Sequence, residues 1–284
     1  MSQSSRRISP AAKLSANYLL LTVVSLFFVG PILWMVSGSL KSIAEVLRYP
    51  PTVIPDIVRW DNYAQLFKMQ PFLRQFGNSI LVMVAVCILT ALLSVPAGYA
   101  LAKVRPVASS LLFIVLLSGI FLPPEATIVP LFLFASKLGW TNTLWPLIVF
   151  TAVITTTPIA TFIMRQAFLT LPNEFGEAAT IDGATRLRTM LQIFVPLVRP
   201  SLASVVVISC WYSWNQFLEP LVYIRDVNLL TVPVALTHFT DRTGGTLWNI
   251  QMAGTTLSVL PVLIVFLFAQ KHVIAGLTAG GLKA

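Results

Sequence analysis

Six stretches of about twenty mostly apolar residues run through this chain, at 17–37, 80–101, 109–127, 144–164, 200–222 and 250–269. At 1.5 Å of rise per residue, each is long enough as a helix to cross a hydrocarbon layer of roughly 30 Å. Lipid offers no partners to backbone N–H and C=O groups, whereas an α-helix satisfies its own. The expected fold is therefore an all-α membrane protein, one domain over residues 1–284 with six transmembrane helices. Charged residues make up only 10% of the chain and hydrophobic ones 56%, against about 25% charged in soluble domains.

The polar connections set the expected orientation, because cytoplasmic loops are enriched in Lys and Arg. Residues 1–16 carry Arg6, Arg7 and Lys13 without an acid, and Lys103 and Arg105 follow the second apolar run. With both termini cytoplasmic, eleven of the nineteen basic residues fall inside. Residues 38–77 read as a semi-ordered external loop whose five basic residues run against the bias, although three acids accompany them. The first apolar run is too long for a signal peptide and no small-residue cleavage site follows, so an uncleaved anchor is expected. The net charge of +9 does not indicate nucleic acid, since the basic residues are scattered and form no stripe.

Catalytic chemistry finds little support. Cys87 and Cys210 lie in apolar runs and read as packing residues, and His238 and His272 are solitary. The chain has no Gly-x-x-x-x-Gly-Lys-Ser/Thr phosphate loop, no Gly-x-Ser-x-Gly elbow and no His-Glu-x-x-His zinc pair. The expectation is a transport subunit without an ATPase site, with no catalytic residue, no metal and no cofactor of its own.

Residues 171–196 form a polar island between the fourth and fifth runs. Leu171-Pro172-Asn173 should break the incoming helix, with Asn173 capping a short new one and Glu174 and Glu177 in its first turn, where the helix dipole favours acids. Gly183 should end it with a left-handed cap. A second helix is expected from about Thr185, with Leu187, Met190, Leu191 and Phe194 on one face and Arg186 and Arg188 on the other. This is a cytoplasmic elbow lying on the membrane surface.

The elbow's residues resemble a known family. Glu-Ala-Ala, three residues, Gly, nine residues, Ile, one residue and Leu-Pro marks permease subunits of ATP-binding-cassette importers. Glu177, Ala178, Ala179, Asp182, Gly183, Ile193 and Pro196 follow that run, with Val195 at the Leu position. Pro31-x-x-Trp34, Ser39-Leu40-Lys41, Asn62-Tyr63, Asn78-Ser79, Pro130-Leu131-Phe132 and Trp214-Asn215-Gln216-Phe217 are similar to the carbohydrate branch, and Gly276, Leu277, Thr278, Gly280 and Lys283 to the tail of the second permease of maltose-type importers. The resemblance implies that the elbow is a coupling helix docking on a separate ATPase, and that the tail reaches the interface between two ATPase subunits. It also implies a second homologous permease, ATP-binding subunits holding ATP and Mg²⁺, an extracytoplasmic substrate-binding protein and a carbohydrate substrate, with the chain in a bacterial inner membrane.

Within the fifth run, Trp211, Asn215 and Glu219 are spaced by four and should share one helix face, with Trp214 beside them. Polar groups at membrane depth are costly unless they face a cavity or partner. An indole with an amide and a carboxylate suits a sugar; the alternative has Asn215 bonding a neighbouring helix while Trp211 packs. Glu125, after Pro123-Pro124, reads as emerging at the surface. Rival cargoes are glycerol-3-phosphate or its diesters, and a rival class is an ion-driven secondary carrier.

Overall fold

The computed structural model describes residues 10–121 and 123–281. Apart from an isolated bridge between Thr240 and Thr246, the regular structure of these residues is helical. Among the described residues, four helices are long and apolar enough to cross a membrane: Asn17–Ser39, Phe72–Val104, Trp145–Leu169 and Trp248–Phe268. Two bent pairs, Ser109–Phe121 with Glu125–Lys137 and Arg186–Leu197 with Arg199–Trp214, bring the total to six if each counts as one span. Leu19, Phe27, Phe28, Leu111, Ile114 and Phe266 are all exposed. Aqueous surfaces do not carry such a density of large apolar side chains, and lipid-facing ones do.

The chain divides into two compact units. The first comprises Met1–Met69 and Phe239–Leu257. The region expected as a semi-ordered loop is fastened here by Asn62, whose buried amide donates to the carbonyls of Ser39 and Lys41, both at 2.8 Å, while its Oδ1 accepts from Asn249. Lys41 is itself buried. Its ammonium donates to the Thr52 carbonyl and lies 4.9 Å from the Trp34 ring centre.

The second unit comprises Gln70–His238 and Ser258–Ala284. Its central helix, Phe72–Tyr99, begins eight residues before the expected 80. Hydropathy missed this first part because its polar side chains are bonded to a downstream segment. Gln75 donates to the Val227 carbonyl, Asn78 to those of Asn228 and Leu230, and Ser79 accepts from the Val232 N–H. Helix Trp145–Leu169 crosses this helix closely at Gly98, where a β-carbon would come within 2.7 Å of Met164 Cβ.

The regular helix is interrupted ahead of Pro158, whereas Pro261 lies within the continuous helix Trp248–Gly281. Thr151–Thr156 is a wide turn ahead of Pro158, and its loosened carbonyls are met by neighbouring groups: Thr156 bonds the carbonyls of Thr151 and Ala152, and Gln216 that of Leu147. Cys87 and Cys210 are buried free thiols whose sulfurs lie 3.2 Å apart, within a cluster holding Met83 and Trp214.

Candidate functional site

The first arm of the elbow is built as the sequence directs, with one substitution of partners. Its first helix runs Glu174–Ile181. Gly183 has φ +78, and the N–H groups of Gly183 and Ala184 return to the carbonyls of Thr180 and Ala179. That pair of bonds is the Schellman closure, which needs a residue in the left-handed region and so favours glycine. Asn173, however, makes no cap bond. Its Oδ1 accepts from Lys103 Nζ at 2.8 Å, and the same ammonium donates to the Leu171 carbonyl at 2.6 Å. A charge-assisted bond across the fold displaces the local cap.

The return segment departs further from expectation. Thr185 caps it by accepting from the Arg188 N–H, but the α-helix lasts only Arg186–Thr189 before a wide turn, Met190–Phe194. The segment then bends by 83° into Arg199–Trp214. The wide turn rotates the expected apolar stripe apart. Met190 and Phe194 are buried, Phe194 against Tyr99 and Phe168 with ring centres 5.4 and 6.4 Å away, whereas Leu187 is 63% exposed. Ile181, at the tip of the first helix, is 87% exposed. Glu177, Ala178 and Asp182 are also exposed and Ala179 is buried. The elbow thus turns an apolar and acidic surface outward while its return arm is anchored by aromatic packing to two long helices.

The four residues grouped in the fifth run do not stay together. The helix ends at Trp214, Asn215 forms its C-cap, and Glu219 belongs to a separate short helix, Leu218–Tyr223. No continuous face therefore joins Trp211, Asn215 and Glu219. Asn215 turns its amide back to the Trp211 carbonyl at 2.8 Å, an interaction that ends the helix. Trp211 is 56% exposed and meets Tyr212 edge to face, whereas Trp214 is 5% exposed and packs on Phe76. Glu219 lines a cavity of about 130 Å³ with Thr151, Thr155, Tyr212 and Tyr223. The hydroxyl of Tyr223 is buried there without a hydrogen-bond partner among the described residues.

The tail residues Gly276, Leu277, Thr278 and Gly280 continue the helix Trp248–Gly281, and Lys283 lies outside the described residues. Among the described residues, no group of His, Cys, Asp or Glu could hold a metal. Sequence reasoning missed Tyr212, Thr155 and Tyr223 beside Glu219, because the short helix that gathers them is set by the break at Asn215.

Residues 94–278 match the model of a family described as the binding-protein-dependent transport system inner membrane component. The chain belongs to that family. This binding-protein-dependent permease is a multi-pass inner-membrane transport component, similar along most of its length to sugar-transport relatives. It is 32% identical over 283 residues to the arabinooligosaccharides transport system permease protein AraQ of Halalkalibacterium halodurans, covering 98% of this chain and 99% of the relative. It is 31% identical to the trehalose/maltose transport system permease protein MalG of Thermococcus litoralis, over 93% and 94% of the two chains. Against the sn-glycerol-3-phosphate transport system permease protein UgpE of Pectobacterium atrosepticum it is 32% identical, over 82% and 84%. Its fold is similar to a chain of a bacterial transporter involved in alginate import, with a TM-score of 0.80 at 21% identity, covering 95% of this permease and all of that chain.

Proposed function

We propose that this chain is the permease subunit of an ATP-driven importer that moves a sugar or oligosaccharide into the cytoplasm, both of its termini lying inside. The observation that carries the coupling part is the elbow: an exposed surface of Glu177, Ala178, Ile181 and Asp182, closed by Gly183 and anchored through Phe194 to the cores of two long helices. In this reading, Ala179 packs the elbow from within and the outward face docks on an ATPase subunit that holds ATP and Mg²⁺. Movement of the ATPase pair pushes the elbow, and the aromatic anchor passes it to the membrane helices. A second permease completes the pathway and an extracytoplasmic binding protein delivers the solute. Gly276–Lys283 extends toward the ATPase interface.

Trp211 offers the exposed ring for stacking on a sugar, with Asn215 beside it. The Glu219 cavity favours a hydroxyl-bearing solute over a phosphorylated one, because among its described lining residues one carboxyl group and several hydroxyls stand among apolar side chains, without Lys or Arg. Likeness to the glycerol-3-phosphate permease keeps that cargo as the second reading. The deciding experiment is solute-stimulated ATP hydrolysis and uptake by the complex carrying Glu177→Lys or Gly183→Arg. Both variants should insert and assemble yet uncouple hydrolysis from uptake; normal uptake by either would remove the coupling role.

A further inference from the structure

Beside the elbow lies a polar cavity of about 330 Å³, which shares Glu177 and Phe194 with the coupling surface and adds Tyr99, Lys103 and Arg186. Its walls come from three segments. Tyr99 and Lys103 stand at the end of the second long helix, Glu177 on the elbow's first helix, and Arg186 and Phe194 on the return arm. The guanidinium of Arg186 makes no hydrogen bond or ion pair among the described residues, and neither does the carboxylate of Glu177. Two of the three donors of the Lys103 ammonium go to Leu171 and Asn173, and the third has no hydrogen-bond partner among the described residues, although the ammonium lies 5.4 Å from the centre of the Phe194 ring. The Tyr99 hydroxyl also lacks a hydrogen-bond partner among the described residues, although Arg186 lies close enough to act on it electrostatically.

We propose that this cavity holds the phosphate of a membrane phospholipid, with Arg186, the third donor of Lys103 and the Tyr99 hydroxyl on its oxygens. A phenol and an ammonium from one helix end and a guanidinium from the return arm, lining one cavity, suit a phosphate group. The site lies at the end of a membrane-crossing helix, the level at which basic pockets meet lipid headgroups. The unpaired Glu177 on another wall selects among phosphates. It opposes a doubly charged free phosphate more than a singly charged phosphodiester, and so favours the lipid. This assignment rests on the permease orientation proposed above but not on coupling to ATP.

The test is the complex reconstituted in phosphatidylcholine nanodiscs with spin-labelled phosphatidylglycerol as probe, read as the immobilised fraction of label. Wild type should retain the probe, and Arg186→Gln should weaken retention about fivefold, the effect of one basic contact near a membrane. Arg188→Gln is the control, because Arg188 bonds Gln192 outside the cavity; it should change nothing. Equal losses in the two variants would reduce the effect to general surface charge and overturn the site. Displacement of the probe by millimolar inorganic phosphate would also overturn the lipid assignment. Uncoupling by the Gly183 variant, at a residue that does not line the cavity, does not bear on this readout, so the two readings fail separately.

Discussion

Lys103 donates to the backbone carbonyl of Leu171, 68 residues further along the chain, at 2.6 Å. The bond fixes the entrance of the elbow to the end of the second long helix. Replacing Lys103 by Met keeps the apolar stem and removes the donor. The loss of a charge-assisted bond at a half-exposed site is on the order of 1 kcal/mol. Amide exchange across Glu174–Ile181 should then quicken by about fivefold, while exchange in the core of Phe72–Tyr99 stays unchanged. Unaltered exchange in the elbow would show that the tether contributes nothing.

Gly183 can be tested for backbone strain without a steric term, because a β-carbon there meets nothing within 4 Å. Gly183→Ala should cost about 1–2 kcal/mol through its φ of +78 alone. The Schellman bonds should loosen, seen as faster exchange of the Gly183 equivalent and Ala184 amides, and uptake should fall. Gly183→Asn should recover much of the loss, since asparagine tolerates this region better. Equal behaviour of Ala and Asn would refute the conformational account.

The sequence revealed those features that hydropathy or local chemistry decides. The apolar runs overlap four long helices and two bent pairs, and Asn173 through Gly183 announced a short helix with a glycine stop. What the sequence hid depends on partners far along the chain. Polar Gln75, Asn78 and Ser79 lengthen a membrane helix because the 227–232 segment receives them. Asn173 lies at the predicted cap position but spends its oxygen on Lys103. The periodicity that placed Trp211, Asn215 and Glu219 on one face assumed an unbroken helix, and the side chain of Asn215 closes that helix on itself.

The loop before the last helix should respond to pH through Asp241. Its Oδ1 accepts from the Thr243 hydroxyl at 2.7 Å and from the N–H groups of Thr243 and Gly245, and these bonds hold its carboxyl below the usual carboxylate range. A depressed folded-state pKa stabilises the loop above the ordinary Asp value, about 3.9, and that contribution disappears as pH falls through the lowered value. Protection of the Thr243 and Gly245 amides should therefore persist to below the ordinary titration range and then collapse. Asp241→Asn should remove this acid step; an identical step in the variant would assign it to another group.

The crossing at Gly98 makes the sharpest stability prediction. A β-carbon at this position would come 2.7 Å from Met164 Cβ and 2.9 Å from the Arg165 backbone nitrogen, so the two helices would have to separate. Small residues at such crossings let membrane helices approach closely, and overpacking there costs about 1–3 kcal/mol. Alanine's better helix propensity returns up to about 1 kcal/mol, less than the clash removes. Gly98→Ala should therefore lower the thermal midpoint of the purified chain in detergent. Gly119→Ala is the matched control, since its nearest neighbour would be Pro158 Cγ at 3.7 Å, an ordinary contact. A fall for Gly98→Ala with little change for Gly119→Ala supports a close crossing, whereas equal midpoints would mean that the helices can part at no cost.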